Sequence, residues 1–153
     1  MKTRNTTMLA AALLILWVWI GAGWSAERAD TANTPMTSSS DFADLEKQWG
    51  VRPLTIRLTG ADHFLDFRYL VTDSEKAKPV LSRNNQAYLM DQASGRVFNV
   101  PVTKIGPLRG TNRYPKAGKQ YFVIFSNNGK QIHRGSKVSV IVGDFRAENM
   151  TVE

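Results

Sequence analysis

The stretch that decides the fold is Gln120–Ser126, which reads Gln-Tyr-Phe-Val-Ile-Phe-Ser and runs into the turn signal Asn127-Asn128-Gly129. Its five consecutive apolar residues are all β-branched or aromatic, and the run is too short for an ordinary helix. It therefore predicts a strand buried on both faces. Lys137–Val142 has the same character and ends at Gly143. We predict that these two strands form the centre of a β domain.

Two alternating stretches upstream predict an antiparallel hairpin. Val51–Thr59 and Phe64–Thr72 are separated by a short turn that contains glycine and aspartate. Apolar residues alternate with polar ones in both stretches, which is typical of strands with one buried face. The predicted inward residues are Leu54, Ile56 and Leu58 on the first strand, and Leu65, Phe67, Tyr69 and Val71 on the second.

Shorter elements complete the predicted domain. Ala87–Met90 and Arg96–Val100 flank a loop of hairpin length, and a last strand is expected near Asn149–Val152. Asp41–Trp49 carries apolar residues at spacings of three and four before Gly50, so it predicts a short helix that covers the open end of the sheet. The two connections are predicted to be a polar crossover with a short helical turn at residues 73–85, and a long connection or irregular edge strand at residues 103–114.

The number and spacing of these strands predict an all-β fold, specifically an antiparallel β-sandwich. Over about Val51–Glu153 the pattern resembles immunoglobulin-like accessory domains of bacterial envelopes, although the cysteines of true immunoglobulin domains are absent. The resemblance implies a fold and no function. About 110 residues remain beyond the N-terminal segments, which is enough to fold around one core without disulfides.

The N-terminus predicts export. A short basic start precedes Met8–Trp24, which is 17 residues without a charge. This is typical of a secretory signal, and at about 25 Å it is also nearly long enough for an uncleaved anchor. Lys2 and Arg4 place the start of the chain in the cytoplasm. We predict a signal peptide or signal-anchor helix at residues 1–26, a flexible linker at residues 27–40, and the β-sandwich domain with its leading helix at residues 41–153.

Charge is distributed unevenly along the chain. The net charge is +7, yet Gln92–Gly143 contains nine Lys and Arg residues and no Asp or Glu. Such a segment favours an acidic partner, which could be an envelope protein, lipid or glycan. Nucleic acid is disfavoured as a partner because export takes the protein away from the compartment where nucleic acids are usually bound. The predicted partner-binding residues are Arg109, Arg113, Lys116, Lys119, Lys130 and Arg134.

Catalytic and metal-binding signals are weak. The chain has two histidines, His63 and His133, and no cysteine. Neither histidine lies in a nucleophile or metal motif, so we predict neither an enzyme nor a cofactor. Copper can use His and Met ligands, but Met36, Met90 and Met150 are scattered singly and Met90 and Met150 are more simply interpreted as core residues.

The sequence therefore predicts a non-enzymatic envelope protein. We expect it to be tethered to the membrane by Met8–Trp24 if that segment is uncleaved, on the periplasmic side, with a basic surface that contacts an acidic partner. The alternative is a soluble periplasmic or secreted binder of a small ligand or copper. Cleavage near residues 24–27 would distinguish the alternative from the anchored form.

Overall fold

The computed structural model describes residues 39–153, with side chains from residue 42 onward. Most of the regular secondary structure in this range is strand in antiparallel sheets, with few helices, which confirms the all-β class. The helices are α1 (Ser39–Trp49) and α2 (Lys78–Leu81). The strands are β1 (Val51–Thr59), β2 (Phe64–Val71), β3 (Ala87–Asp91), β4 (Val97–Asn99), β5 (Val102–Thr103), β6 (Gly106–Pro107), β7 (Gln120–Ser126), β8 (Lys137–Val142) and β9 (Phe145–Thr151).

The signal or anchor helix and almost all of the tether predicted from the sequence lie outside the described residues. Between residues 39 and 153, no helix has the length and apolar character needed to cross a bilayer.

The strands form two main sheets and one small one. Their orders are β1-β2-β7 and β4-β3-β8-β9, and β5 pairs with β6 in a two-stranded hairpin. Every pairing is antiparallel. Residues 108–110 run beside β7, where the Ile124 amide donates to the Leu108 carbonyl and the Gly110 amide donates to the Phe122 carbonyl. Glu153 exchanges backbone hydrogen bonds with Ile56 and Leu58 at the opposite border of the same sheet.

One hydrophobic core joins the inward faces of the two main sheets. Phe67 of β2, Phe125 of β7 and Phe145 of β9 are fully buried in it. Burying a phenylalanine contributes about 1.5–3 kcal/mol relative to leaving it exposed, so this layer dominates the stability of the fold. The inward residues predicted on β2, namely Leu65, Phe67, Tyr69 and Val71, are all buried, as expected.

Helix α1 confirms the predicted short helix and begins two residues earlier than expected, at Ser39. Its Leu45 is buried, and Trp49 meets Phe145 edge to face with ring centroids 6.2 Å apart. Gly50 ends the helix with a φ of +58°, a backbone conformation that favours glycine because it has no Cβ.

The prediction that β7 is a central strand buried on both faces is wrong. Its bounds are as predicted, but β2 occupies the centre of the three-stranded sheet. Tyr121, Val123 and Phe125 face the core, whereas Phe122 remains 39% exposed. Aromatic and β-branched residues also stabilise half-exposed strands through cross-strand contacts, so their presence does not require burial. Strand β8, in contrast, lies between β3 and β9 and is buried from Val138 to Val142.

Two other differences from the predicted strands concern β1 and β9. The pairing of β1 with β2 shifts between Pro53 and Thr55, so Leu54 is 37% exposed rather than inward as predicted. A bulge of this kind inserts one residue and changes the phase of the alternation. The pairing of β8 with β9 also shifts, and β9 begins at Phe145, before the predicted start at Asn149.

Candidate functional site

A cleft of about 630 Å³ opens between the segment that contains α2 and the loop that precedes β7. Three of its lining residues are basic, four are neutral and polar, one is apolar and none is acidic. They are Lys78, Arg83 and Arg113; Ser82, Asn84, Thr111 and Asn112; and Leu81. We call this feature the basic cleft. Residues 78–84 form its crossover wall, and residues 111–113 form its loop wall.

Local sequence explains how the crossover wall forms. Pro79 lies in the first turn of α2, where its missing N–H removes no helical hydrogen bond. Val80 and Leu81 are buried in the core, which anchors the short helix. The chain leaves the helix at Ser82, whose backbone is extended. The polar residues that follow therefore face the cleft while the apolar ones hold the segment against the sheets.

Direct hydrogen bonds join the two walls. The backbone amide of Asn112 donates to the Leu81 carbonyl at 3.2 Å, and Arg83 Nε donates to Thr111 Oγ1 at 3.2 Å. These contacts fix the separation of the walls without using the remaining donors of the Arg83 guanidinium. The cleft is thus formed before any ligand arrives, which lowers the entropic cost of binding.

Arg109 supports the crossover wall from inside the protein. Its Nη1 donates to the Asn85 carbonyl at 2.8 Å, and its Nη2 donates to the carbonyls of Val80 at 2.8 Å and Ser82 at 3.1 Å. Burial lowers the pKa of Arg109, because desolvation disfavours the charged form, but a guanidinium stays protonated at neutral pH. Arg109 was predicted to contact a partner, yet its side chain is directed inward and acts on the cleft only by positioning it.

Two cations in the basic cleft have no acidic neighbour. Lys78 forms an exposed ion pair with Glu75 at 2.5 Å. Arg83 and Arg113 have no carboxylate within 4 Å among residues 42–153. An uncompensated guanidinium pair in a concave site attracts carboxylate and phosphate groups and can bind them through two parallel hydrogen bonds.

The other predicted contact residues do not converge on the cleft. Lys116 and Lys119 follow the loop wall, and Lys119 Nζ lies 5.8 Å from the centroid of the Tyr121 ring. Lys130 and Arg134 follow β7, a strand of seven residues that spans about 23 Å. Arg109 lies beside the middle of β7, opposite Val123. The six predicted residues are thus spread along β7 and beyond both of its ends, and they do not form one site.

Lys78 and Arg83 were missed because they belong to the half of the sequence that also contains acidic residues. Charge counted along the chain cannot show which acids lie near which bases in the fold. The one local signal was Arg83-Asn84-Asn85, a polar run that fits an exposed wall.

A second pair of arginines lies next to a carboxylate, unlike Arg83 and Arg113 in the basic cleft. Arg57 Nη2 and Arg68 Nε both donate to Asp66 Oδ2, at 3.3 Å and 3.0 Å, on the outer face of the three-stranded sheet. Asp66 is buried and carries one negative charge, so it offsets part of the positive charge of the two guanidinium groups. This cluster is therefore a weaker attractor of anions than the basic cleft.

The residues considered for copper differ in burial, and the segments that carry His63 and His133 are both hydrogen-bonded to Asn127. His63 and His133 are exposed, Met90 is partly buried in β3, Met150 lies in the core, and Met36 is outside the described residues. In the part of the chain that the structure covers, no group of three or more histidine or acidic side chains is arranged to hold a metal ion.

Comparisons with protein-family models, curated proteins and solved structures found no match to this chain. Function must therefore be inferred from the geometry and charge of the basic cleft.

Proposed function

We propose that this chain is an exported, non-enzymatic binding protein of the bacterial cell envelope, and that its basic cleft holds an acidic group of a partner. The observation that carries the proposal is the lining of the cleft, which combines Lys78, Arg83 and Arg113 with neutral amides and hydroxyls and contains no carboxylate. Arginine suits this role because its planar fork matches carboxylate and phosphate oxygens. The amides and hydroxyls add hydrogen bonds that fix the orientation of the bound group.

Export and tethering are part of the same proposal. Met8–Trp24 would hold the domain on the periplasmic side of the cytoplasmic membrane, and the linker would let it reach partners there. A tether raises the effective concentration of the domain near other membrane components, so modest affinity at the cleft is sufficient. N-terminal sequencing of the mature chain distinguishes the tethered form, which retains Met1, from a cleaved and soluble one.

The neighbour relations of the strands support an immunoglobulin-like sandwich as the scaffold. In that fold strand B lies beside E, strand C lies beside F, and F lies beside G. Here β2 lies beside β7, β3 beside β8, and β8 beside β9. Strand β4 then takes the C′ position beside C, and residues 108–110 take the place of strand D beside E. Folds of this type commonly present binding residues on their loops.

Charge reversal in the cleft, with a control of equal net charge, tests the proposal. The test variant is Arg83→Glu combined with Arg113→Glu, and the control is Lys47→Glu combined with Lys104→Glu. Both variants change the net charge by the same amount at exposed positions. The full-length chain is crosslinked in the intact envelope, and the captured components are quantified. We expect the cleft variant to lose most of its captured partner and the control variant to keep it.

Equal loss from both variants would show that overall charge, rather than the cleft, attracts the partner. Equal capture by both variants and the unmodified chain would contradict the proposal altogether. Each variant is accepted only if its melting temperature matches that of the unmodified protein, because a misfolded domain would also lose its partner.

A further inference from the structure

Strand β4 forms one border of the four-stranded sheet, and β9 forms the other. Strand β4 pairs with β3, and the Asp91 amide donates to the Arg96 carbonyl. Residue pairs in antiparallel strands alternate between hydrogen-bonded and non-hydrogen-bonded positions. The amide and carbonyl groups of Phe98 therefore point toward β3, whereas those of Val97 and Asn99 point away from it. Within residues 39–153, no other segment forms a backbone hydrogen bond to Val97 or Asn99. Their amide and carbonyl groups are available to another extended chain.

Both borders of the three-stranded sheet are covered, in contrast to β4. Glu153 forms hydrogen bonds with β1, and residues 108–110 form them with β7. Proteins usually protect sheet borders in this way, because unpaired backbone groups recruit other strands. The open border of β4 is therefore a site where strand addition is possible.

A groove of about 530 Å³ runs along this border. Its lining contains one basic residue and no acidic one. The groove lies between β4 on one side and the end of β7 with the turn that follows on the other. The lining residues are Arg96, Val97, Phe98, Asn99, Val100, Ser126, Asn128 and Gln131. Val97 is 52% exposed, and Arg96 Nη1 donates to Gln131 Oε1, which holds the guanidinium across the groove.

We propose that this border binds an extended acidic peptide segment of a partner protein, which adds to β4 as a further strand. Val97 and Asn99 supply up to four backbone hydrogen bonds, the exposed Val97 side chain contacts an apolar residue of the peptide, and Arg96 binds one of its carboxylates. A second copy of the chain fits less well, since it would bring two Arg96 side chains together and neither groove lining supplies a carboxylate. The inference deepens the proposed function by making the acidic partner a protein, and it uses a border separate from the basic cleft.

The test uses the full-length chain in detergent micelles and a synthetic acetylated octapeptide of alternating valine and glutamate. The matched control is the same peptide with N-methyl groups on alternate residues, which keeps the charge and the side chains but cannot complete a ladder. We expect the control peptide to bind at least about tenfold more weakly, which corresponds to about 1.4 kcal/mol. By nuclear magnetic resonance, the bound peptide should slow hydrogen exchange at the Val97 and Asn99 amides and leave Phe98 unchanged.

Two variants test the site through the Asn99 amide and through the preference for the unmethylated peptide, because carboxylates held in the basic cleft affect neither readout. Val97→Pro removes an outward amide that β3 does not use, so it should abolish both readouts, whereas Lys104→Glu, at an exposed position outside the groove and the cleft, should leave them unchanged. Equal binding of the two peptides, exchange protection that does not alternate along β4, or no binding of either peptide would overturn the inference. A preference for the unmethylated peptide that survives in Val97→Pro would also overturn it, and that outcome would leave the proposal for the basic cleft standing.

Discussion

Replacing Arg109 with methionine removes the donors that hold the crossover wall of the basic cleft. The variant has an apolar side chain of similar length, so packing is largely kept while three hydrogen bonds to carbonyls are lost. Bonds from a charged donor contribute about 1.5–3 kcal/mol each, and water can satisfy the carbonyls that are only partly buried. We expect the free energy of unfolding to fall by about 3 kcal/mol, because the substitution leaves neutral carbonyls, some of them reached by water, and no unpaired charge.

Urea denaturation followed by tryptophan fluorescence measures this change, with Arg113→Met as the control. Arg113 is exposed and has no carboxylate partner among the described residues, so its substitution should change stability by less than about 0.5 kcal/mol. A loss below about 1 kcal/mol for Arg109→Met would refute the reasoning, since it would mean that the three hydrogen bonds do not hold the crossover wall.

Four other substitutions test the fold itself. Gly50→Ala should destabilise the protein by more than about 2 kcal/mol in thermal unfolding, because its Cβ would lie 2.6 Å from a backbone oxygen at positive φ, whereas Gly95→Ala meets no atom within 4 Å and should cost about 1 kcal/mol. Asn127→Ala should cost about 2–4 kcal/mol by urea denaturation, because this fully buried amide makes three hydrogen bonds to backbone groups. Arg52 lowers the pKa of Glu46 through a two-pronged hydrogen bond, so this pair should stabilise the fold above about pH 4.5 and lose that effect as the pH falls below it. In Arg52→Gln, the free energy of unfolding should no longer show this decrease at acidic pH. The same pH dependence in the variant and the unmodified protein would contradict the role given to the Arg52–Glu46 pair.

Residue pattern alone predicted most of the strands. The alternation of apolar and polar residues predicted the bounds of β1 that the structure shows. The run of aromatic and β-branched residues likewise predicted the observed bounds of β7. These features are local, because a strand with one buried face must alternate along its own sequence. The exposure of Leu54 could not be predicted this way, because a bulge depends on the register with the neighbouring strand.

The candidate site was harder to predict because it depends on contacts between distant segments. Arg109 and Arg113 looked alike as basic residues in a loop, yet one is buried beneath three carbonyls and the other lines the cleft. Arg83 was overlooked because Asp and Glu residues precede it in sequence, although Glu75 forms its ion pair with Lys78. The fold decides which charged side chains lie close together. A count of charged residues along the sequence therefore predicted a basic surface but not the basic cleft.

The most direct test of the basic cleft is to observe its arginine side chains while an anion is added. Nuclear magnetic resonance of the guanidinium Nε–H groups in the full-length chain, titrated with inorganic phosphate and then with polyglutamate, reports each arginine separately. We predict saturable shifts at Arg83 and Arg113 that weaken as salt is added, with Arg134 unchanged. Equal shifts at all exposed arginines, or no shift at Arg83 and Arg113, would contradict the existence of a specific anion site.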